Sequence, residues 1–522
     1  MKKEFNITGV CYPHLHYMMD YSAKLASILD MVERGKYFII NRLRQYGKTT
    51  TLFLLTEALS KMDGYLPIEM NFQGIDEQWH ESDGAFARMF VEQMQKALRF
   101  IKPGLSDFLK ASAGAVADMN VLSDVITELV HKSEGKLVLL IDEVDASSNF
   151  FPFLNFLGML RTKYLARVRP QHATFHSIVL AGVHDIKTLK SKVRPDDKAQ
   201  YNSPWNIAAD FDVEMSFNPR EIAPMLEEYS KAEGVEMDVE AIAEKVYSYT
   251  SGYPFLVSKL CKLAAEKILP ATKKKSWDLD TLEQAVNLLL RENNTNFDSL
   301  IKNMENNPDL YNLAFEIIVN GVEVPFDPHE PTISLGRLYG VFRPNGGVKV
   351  HNWIYEQILF NYMAAKAFNQ YLESRREDFP TSFAKETNEL DLEAVLLKFQ
   401  QYMKEQYSGK DQPFLEREWR LVFLAFLKPI INGKGHDFKE PQVSEEKRLD
   451  IALTYYRHKY VIELKRWYGP KAHQKGLDQL SGYLERQSLA SGYLIIFEHR
   501  TEKTWRQERI RHQGKEIFAV WV

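Results

Sequence analysis

Hydrophobic and polar positions along this chain follow two rhythms. In the first half, residues 37–41, 136–142 and 177–182 are apolar almost throughout. A strand covered on both faces of a parallel sheet reads this way, whereas a half-exposed strand alternates. Residues 52–59 repeat their apolar positions at helical spacing, so a helix is expected soon after the first strand. Near the other end the rhythm changes. Residues 448–453 and 461–465 alternate with period two around a turn at Arg457-His458, which predicts a β-hairpin. That turn sets Tyr456 opposite Lys459, Ala452 opposite Glu463 and Asp450 opposite Lys465, so Asp450, Glu463 and Lys465 share one face. A slip of one residue would move Asp450 to the other face. Residues 416–426 and 476–484 have helical periodicity, and 492–497 reads as a buried strand. Between the two regions, residues 310–320, 335–340 and 354–363 read as helices. A loop at 322–329 and a hairpin turning at Asn345-Gly346-Gly347 separate them.

These elements carry two chemistries. The first strand runs into Arg42, Arg44, Gln45, Tyr46, Gly47, Lys48, Thr49 and Thr50, and then into the helix. Strand, Gly-Lys-Thr loop and helix make up the arrangement of a P-loop. Its backbone N–H groups cradle phosphates, its lysine reaches the β/γ oxygens and its hydroxyl ligates magnesium. Arg42 stands where the usual motif has glycine. The second apolar run ends in Asp142 and Glu143, acids at the carboxyl end of a buried strand, where functional groups of such sheets collect. Asp142 is the expected magnesium partner and Glu143 the group that polarises water; the competing reading is that both acids cap a following helix. His184 and Asp185 follow the third run, in a position for sensing the γ-phosphate or for a structural loop histidine. In the hairpin, two close carboxylates suit a hard divalent cation and a nearby lysine can orient or deprotonate water. Asp450, Glu463 and Lys465 fit that description. A plain surface hairpin is the competing reading, weakened because Glu463 sits mid-strand, where an unpaired carboxylate is costly.

Length and charge bound the setting. At 522 residues the chain divides into three or four domains. Only two cysteines occur, Cys11 and Cys261, which argues against a disulfide framework and fits a reducing, cytoplasmic location. No apolar run approaches the roughly 20 residues that cross a bilayer, so no membrane partner is expected. Net charge is −4, yet residues 446–475 hold eight basic side chains against three acidic ones, an excess that suits a phosphodiester.

The order helix, hairpin, helix, strand around Asp450 and Glu463-Leu464-Lys465 resembles the core of the PD-(D/E)xK nuclease superfamily over roughly residues 385–522. The resemblance implies Asp450, Glu463 and a leading-helix acid as metal ligands. That acid is Glu418, with Glu416 as its competitor, and Gln479 stands at the glutamine some members carry. Residues 41–50, 180–185 and 202–207 resemble an AAA-like ATPase domain of bacterial proteins that pair it with such a nuclease-like domain. Its loop reads R-x-R-x-x-G-K-T, so Arg42 is a trait of that family. Gly252 and Pro254 resemble the G-x-P element of the helical lid, although Gly-x-Pro is also a common helix breaker. The implied architecture is α/β: a P-loop ATPase core with a parallel sheet (10–215), a helical lid (216–300) and a winged-helix-like region (301–370). A linker (371–385) and an α/β PD-(D/E)xK nuclease-like domain (386–522) follow. The implied cofactors are ATP and Mg2+, with Mn2+ as an alternative at the nuclease site. Nucleic acid, DNA first, is the expected partner. Arg194 is either a finger reaching across a homo-oligomer or an ordinary surface arginine. Two functions compete: a nuclease governed by an ATPase, and an ATP-driven switch whose inactive C-terminal domain only binds nucleic acid or a protein.

Overall fold

The computed structural model describes residues 2–42, 44–148, 150–182, 205, 207–319, 321–374, 383, 385, 389–406, 422–424, 426–427, 430–431, 435–438, 451–467, 469–498 and 503–522. The chain forms two compact units. One comprises Met1–Glu292 with Leu335–Gly340, the other Asn293–Ser334 with Val341–Val522.

A parallel sheet organises the first unit. Strands β1 (Tyr37–Asn41), β2 (Tyr65–Asn71), β3 (Lys136–Asp142) and β4 (Ser177–Gly182) lie in the order β1-β4-β3-β2. Every neighbouring pair is parallel. An isolated parallel bridge between Phe38 and Ala209 continues the sheet beyond β1. β3 is buried from Leu137 onward, as its unbroken apolar run requires. Parallel neighbours need crossovers, and helices supply them. α1 (Ser22–Glu33) precedes β1, and α2 (Lys48–Ser60) joins β1 to β2. α3 (Asp83–Leu98), α4 (Pro103–Ala113) and α5 (Met119–Lys132) join β2 to β3, and α6 (Phe151–Ala166) joins β3 to β4. Ile39, Leu139, Ile141 and Leu180 pack in one core with Phe86, Phe90 and Phe156. The Phe90 and Phe156 rings lie 4.6 Å apart. Each such ring contributes about 1.5–3 kcal/mol through removal from water. The carboxyl ends of all four strands share one edge, the side on which open α/β sheets bind ligands.

Helices Pro219–Glu233, Val239–Thr250, Pro254–Leu263 and Leu279–Leu290 follow, with a short parallel pair, β5 (Glu236–Met237) and β6 (Ser276–Trp277). Asn218 and Glu221 form a capping box that satisfies the first N–H groups of helix Pro219–Glu233. α1 and the chain before it are tied to that helix. Lys24 Nζ lies 2.6 Å from Glu221 Oε1, and the Asp20 N–H donates to the Glu221 carbonyl at 2.8 Å. Phe5 is buried, its ring 5.0 Å from those of Tyr17 and Tyr229.

In the second unit, helices Thr295–Glu305, Pro308–Ile318 and Trp353–Ser374 accompany a hairpin of β7 (Phe342–Pro344) and β8 (Val348–Val350). Helix Trp353–Ser374 runs through residues 371–374, where the linker was expected to start, because nothing at that point breaks the helix. The helix expected at 335–340 is Pro331–Leu338, begun by a proline suited to a first turn. The unit closes with a six-stranded mixed sheet: β9 (Gly435–Phe438), β10 (Ile451–Tyr455), β11 (His458–Arg466), β12 (Ser491–Phe497), β13 (Gln507–His512) and β14 (Lys515–Trp521). Its order is β13-β14-β12-β11-β10-β9, with β12 parallel to both β11 and β14 and the other pairs antiparallel. Helix Pro470–Arg486 covers one face, burying Leu477, Leu480 and Leu484 against Val461, Leu494 and Trp521.

The hairpin register also differs from expectation. The turn is Tyr456-Arg457, with Tyr456 at φ +53°, and Ala452 pairs with Val461 instead of Glu463. Tyr455, 2% exposed, is thereby retained in the strand with Ile451 and Leu453. The shift is two residues, so it preserves which side chains share a face.

Candidate functional site

The carboxyl edge of the parallel sheet gathers the P-loop residues. Gln45 and Gly47 take left-handed backbone conformations, φ +60° and +76°, and α2 begins at Lys48. Gly47 supplies that conformation without a side-chain clash. Lys48 is buried and its Nζ donates to the Arg42 carbonyl at 2.9 Å. Burial pushes its pKa down, opposed by Glu143, Asp142 and Asp145. Thr49 Oγ1 donates to Asp142 Oδ2 at 2.7 Å, so the hydroxyl and carboxylate expected around magnesium meet across two elements. Asp142 Oδ1 accepts the Glu143 backbone N–H at 2.9 Å. Glu143 sits at φ +52°, an uncommon conformation for a side chain of its kind, at the end of β3. Its pKa is raised, first by burial and then by the Asp142 charge, with Lys48 opposing. An oxygen donor pair beside a desolvated lysine fits a magnesium–phosphate group.

A cavity of about 430 Å³ opens here, within the size range of small-molecule sites. Arg44, Gln45, Gly47, Lys48, Thr49 and Thr50 form one wall, with Glu143 beside them. Pro254, Phe255 and Ser258 form another. Gly252 explains how that wall is held. Its φ is +72°, the Phe217 N–H donates to its carbonyl at 2.9 Å, and a Cβ there would stand 2.0 Å from the Phe217 oxygen. Only glycine fits. The next residue, Tyr253, donates its hydroxyl to the Arg44 carbonyl at 2.7 Å. Tyr46, expected at the nucleotide, does not line the cavity. It is buried with its hydroxyl 2.7 Å from Ser216 Oγ and its ring 4.9 Å from that of Tyr253.

The third wall was not expected from the sequence. Asn6, Thr8, Cys11, Met18, Met19 and Tyr21 line the cavity, and the Cys11 N–H donates to Thr50 Oγ1 at 3.0 Å. Nothing periodic marks residues 6–21; the only sequence signal is a cluster of apolar and aromatic side chains without a helix or strand to carry it. His184, Asp185 and Arg194 lie outside the described residues.

In the mixed sheet, Glu463 is 1% exposed and its Oε1 lies 2.7 Å from Lys465 Nζ. The two side chains share a strand face, as the alternation requires. A Cβ on Gly476 would lie 3.5 Å from Lys465 Cγ, so helix Pro470–Arg486 rests its glycine on the lysine stem. Gln479, half-buried, follows one turn later on the same helix face. Asp478 turns to His512, 2.7 Å away. Asp450, Glu416 and Glu418 lie outside the described residues. Among the described residues no group of three or more histidine, cysteine or acidic side chains is placed to hold a metal.

Known proteins were compared with the chain. A family model described as an AAA-like domain matches residues 16–332. An uncharacterized WD repeat-containing protein of Synechocystis, slr0143, is 22% identical over 373 residues, covering 66% of this chain and 29% of the relative. The chain therefore spans less than a third of that relative's length. Similar solved structures include the Walker-type ATPase PABY2304 of Pyrococcus abyssi, at 13% identity and a TM-score of 0.45, covering 68% of this chain and 99% of that one. The ORC2 protein of Aeropyrum pernix matches at 14% identity and a TM-score of 0.36, covering 69% and 97%.

Proposed function

The chain belongs to the AAA-like domain family, and from that premise we propose that it binds ATP with magnesium and hydrolyses it, governing a C-terminal domain that cleaves nucleic-acid phosphodiesters. The observation that carries the ATPase reading is the 2.7 Å contact of Thr49 with Asp142, next to buried Lys48 and opening on a nucleotide-sized cavity. Lys48 is held on the Arg42 carbonyl, ready to exchange that neutral acceptor for phosphate oxygens. Thr49 and Asp142 would hold magnesium, which would supply charge neutralisation on the phosphates. Glu143 orients a water and takes its proton as the water oxygen bonds to the γ-phosphorus and the bond to the bridging oxygen breaks, releasing ADP. Met18, Met19, Pro254 and Phe255 give the walls apolar surface beside the loop, which lowers the polarity around these interactions. Lys48→Ala should remove nucleotide binding while the fold persists.

For the C-terminal domain, the supporting observation is a carboxylate 1% exposed and held 2.7 Å from a lysine on the same strand face. In this reading Asp450, Glu463 and Glu418 would hold a divalent cation, which would supply charge stabilisation on the phosphodiester. Lys465 positions a water, and Gln479 completes the site. The second reading, an inactive domain that only binds nucleic acid or a partner, is favoured by the same ion pair if Glu463 and Lys465 serve only each other. Purified protein should cut DNA or RNA with magnesium or manganese, and Asp450→Ala should abolish cutting. If wild type and variant are equally inert on every substrate with and without ATP, the binding reading stands.

A further inference from the structure

The amino edge of the parallel sheet, opposite the nucleotide cavity, carries a second surface. α3 and α6 both start at the carboxyl edge and run to the amino edge, so the connections after them, residues 99–102 and 167–176, emerge together there. These connections hold the two most exposed large apolar side chains among the described residues, Val168 at 94% and Phe100 at 86%. Leu165 and Ile101 beside them are 65% and 57% exposed. Leaving such side chains in water forfeits burial energy, and clustered exposure of this kind marks interaction surfaces.

The charge around them is one-sided. Residues 93–106 and 161–176 contain no aspartate or glutamate, in a chain whose net charge is −4. Lys96, Arg99, Lys102, Arg167 and Arg169 are all exposed within them. Two arginines are braced by rings: Arg167 lies 3.6 Å over Tyr164 and Arg99 5.4 Å from the Phe100 centroid. The other connections at this edge are mixed in charge, with Lys61 and Asp63 before β2 and Lys132 and Glu134 before β3.

We propose that this edge docks on an anionic lipid surface. The apolar side chains protrude from loop tips, which suits insertion between acyl chains, whereas a peptide partner needs a groove. Exposed bases flanking them match anionic headgroups, each worth about fivefold in binding. The absence of a spanning helix among the described residues does not bear on this mode, which needs none. Docking here leaves the cavity on the opposite edge open to nucleotide.

The full chain should be sedimented with sucrose-loaded vesicles of phosphatidylcholine alone and with 30% phosphatidylglycerol, roughly a physiological anionic fraction. Binding to the anionic vesicles should exceed that to the neutral ones by at least about tenfold and fall with salt. Phe100→Ser with Val168→Ser, and separately Arg167→Glu with Arg169→Glu, should each reduce it about tenfold or more, with ATP affinity unchanged. Equal binding to both vesicle types, no binding to either, or variants that bind like wild type would each overturn the proposal. So would retention of duplex DNA by these residues without vesicle binding.

Discussion

Replacing Gly252 by alanine puts the cavity wall under a strain that can be sized from the structure. Alanine at φ +72° costs about 1–2 kcal/mol from backbone sterics alone. Its Cβ would meet the Phe217 oxygen at 2.0 Å, so one of the two backbones must move by about 1 Å, and overpacking of that kind costs about 1–3 kcal/mol. That movement breaks the 2.9 Å bond from the Phe217 N–H, worth about 1 kcal/mol more. The total is on the order of 4 kcal/mol. It falls on the segment that carries Tyr253, bonded to Arg44, and Pro254 and Phe255, which line the cavity. Gly252→Ala should therefore lower the first melting transition and weaken ATP binding by about tenfold or more, read by fluorescence titration. Gly158→Ala is the matched control. It lies inside α6 with nothing within 4 Å of a new Cβ, so it should stabilise by about 0.8 kcal/mol and leave affinity alone. A Gly252→Ala protein that melts and binds like wild type would show that the Phe217 contact does not hold the cavity wall.

Glu143→Gln should retain ATP binding and lose hydrolysis by about a hundredfold or more, measured by phosphate release. In the wild type the raised Glu143 pKa should move the acidic fall of the rate above the usual carboxylate range. Buried Lys163 donates to Ser123 and Thr127, and its pKa is lowered from 10.5 to about 8 by burial. The unfolded chain therefore binds the proton more tightly. The melting advantage of wild type over Lys163→Met should grow by up to about 3 kcal/mol as pH rises from 8 towards 10.5, and a difference independent of pH would contradict this. Lys465→Ala removes the cation from a carboxylate that is 1% exposed, so it should destabilise by about 1–3 kcal/mol. Adding Glu463→Gln should recover part of that loss; a double variant no more stable than Lys465→Ala would show that the pair is uncoupled.

The parallel sheet was legible because strands buried on both faces must be apolar at every position, as in β3 and β4. Asp142 and Glu143 stand out in the sequence because charge at the end of such a run has few structural explanations. The wall from residues 6–21 was not legible. Its place depends on contacts far along the chain, such as Cys11 with Thr50 and Lys24 with Glu221, which leave no periodic trace. The hairpin register was missed by two residues because the turn uses Tyr456 at positive φ, where glycine or asparagine would have announced it. Alternation still placed Glu463 and Lys465 on one face, since a shift of two conserves parity. The Tyr46 side chain faces the neighbouring wall because its hydroxyl finds Ser216 there, a long-range contact that the motif itself does not announce.

In the proposed function Lys48, Thr49 and Asp142 hold magnesium nucleotide, and titration of the full chain with a fluorescent ATP analogue, with magnesium and with EDTA, reads this out. Wild type should bind more tightly with magnesium, Thr49→Ala should lose that dependence, and Lys48→Ala should lose binding altogether. Undiminished affinity in Lys48→Ala, or magnesium dependence that survives Thr49→Ala, would mean that the nucleotide is held elsewhere.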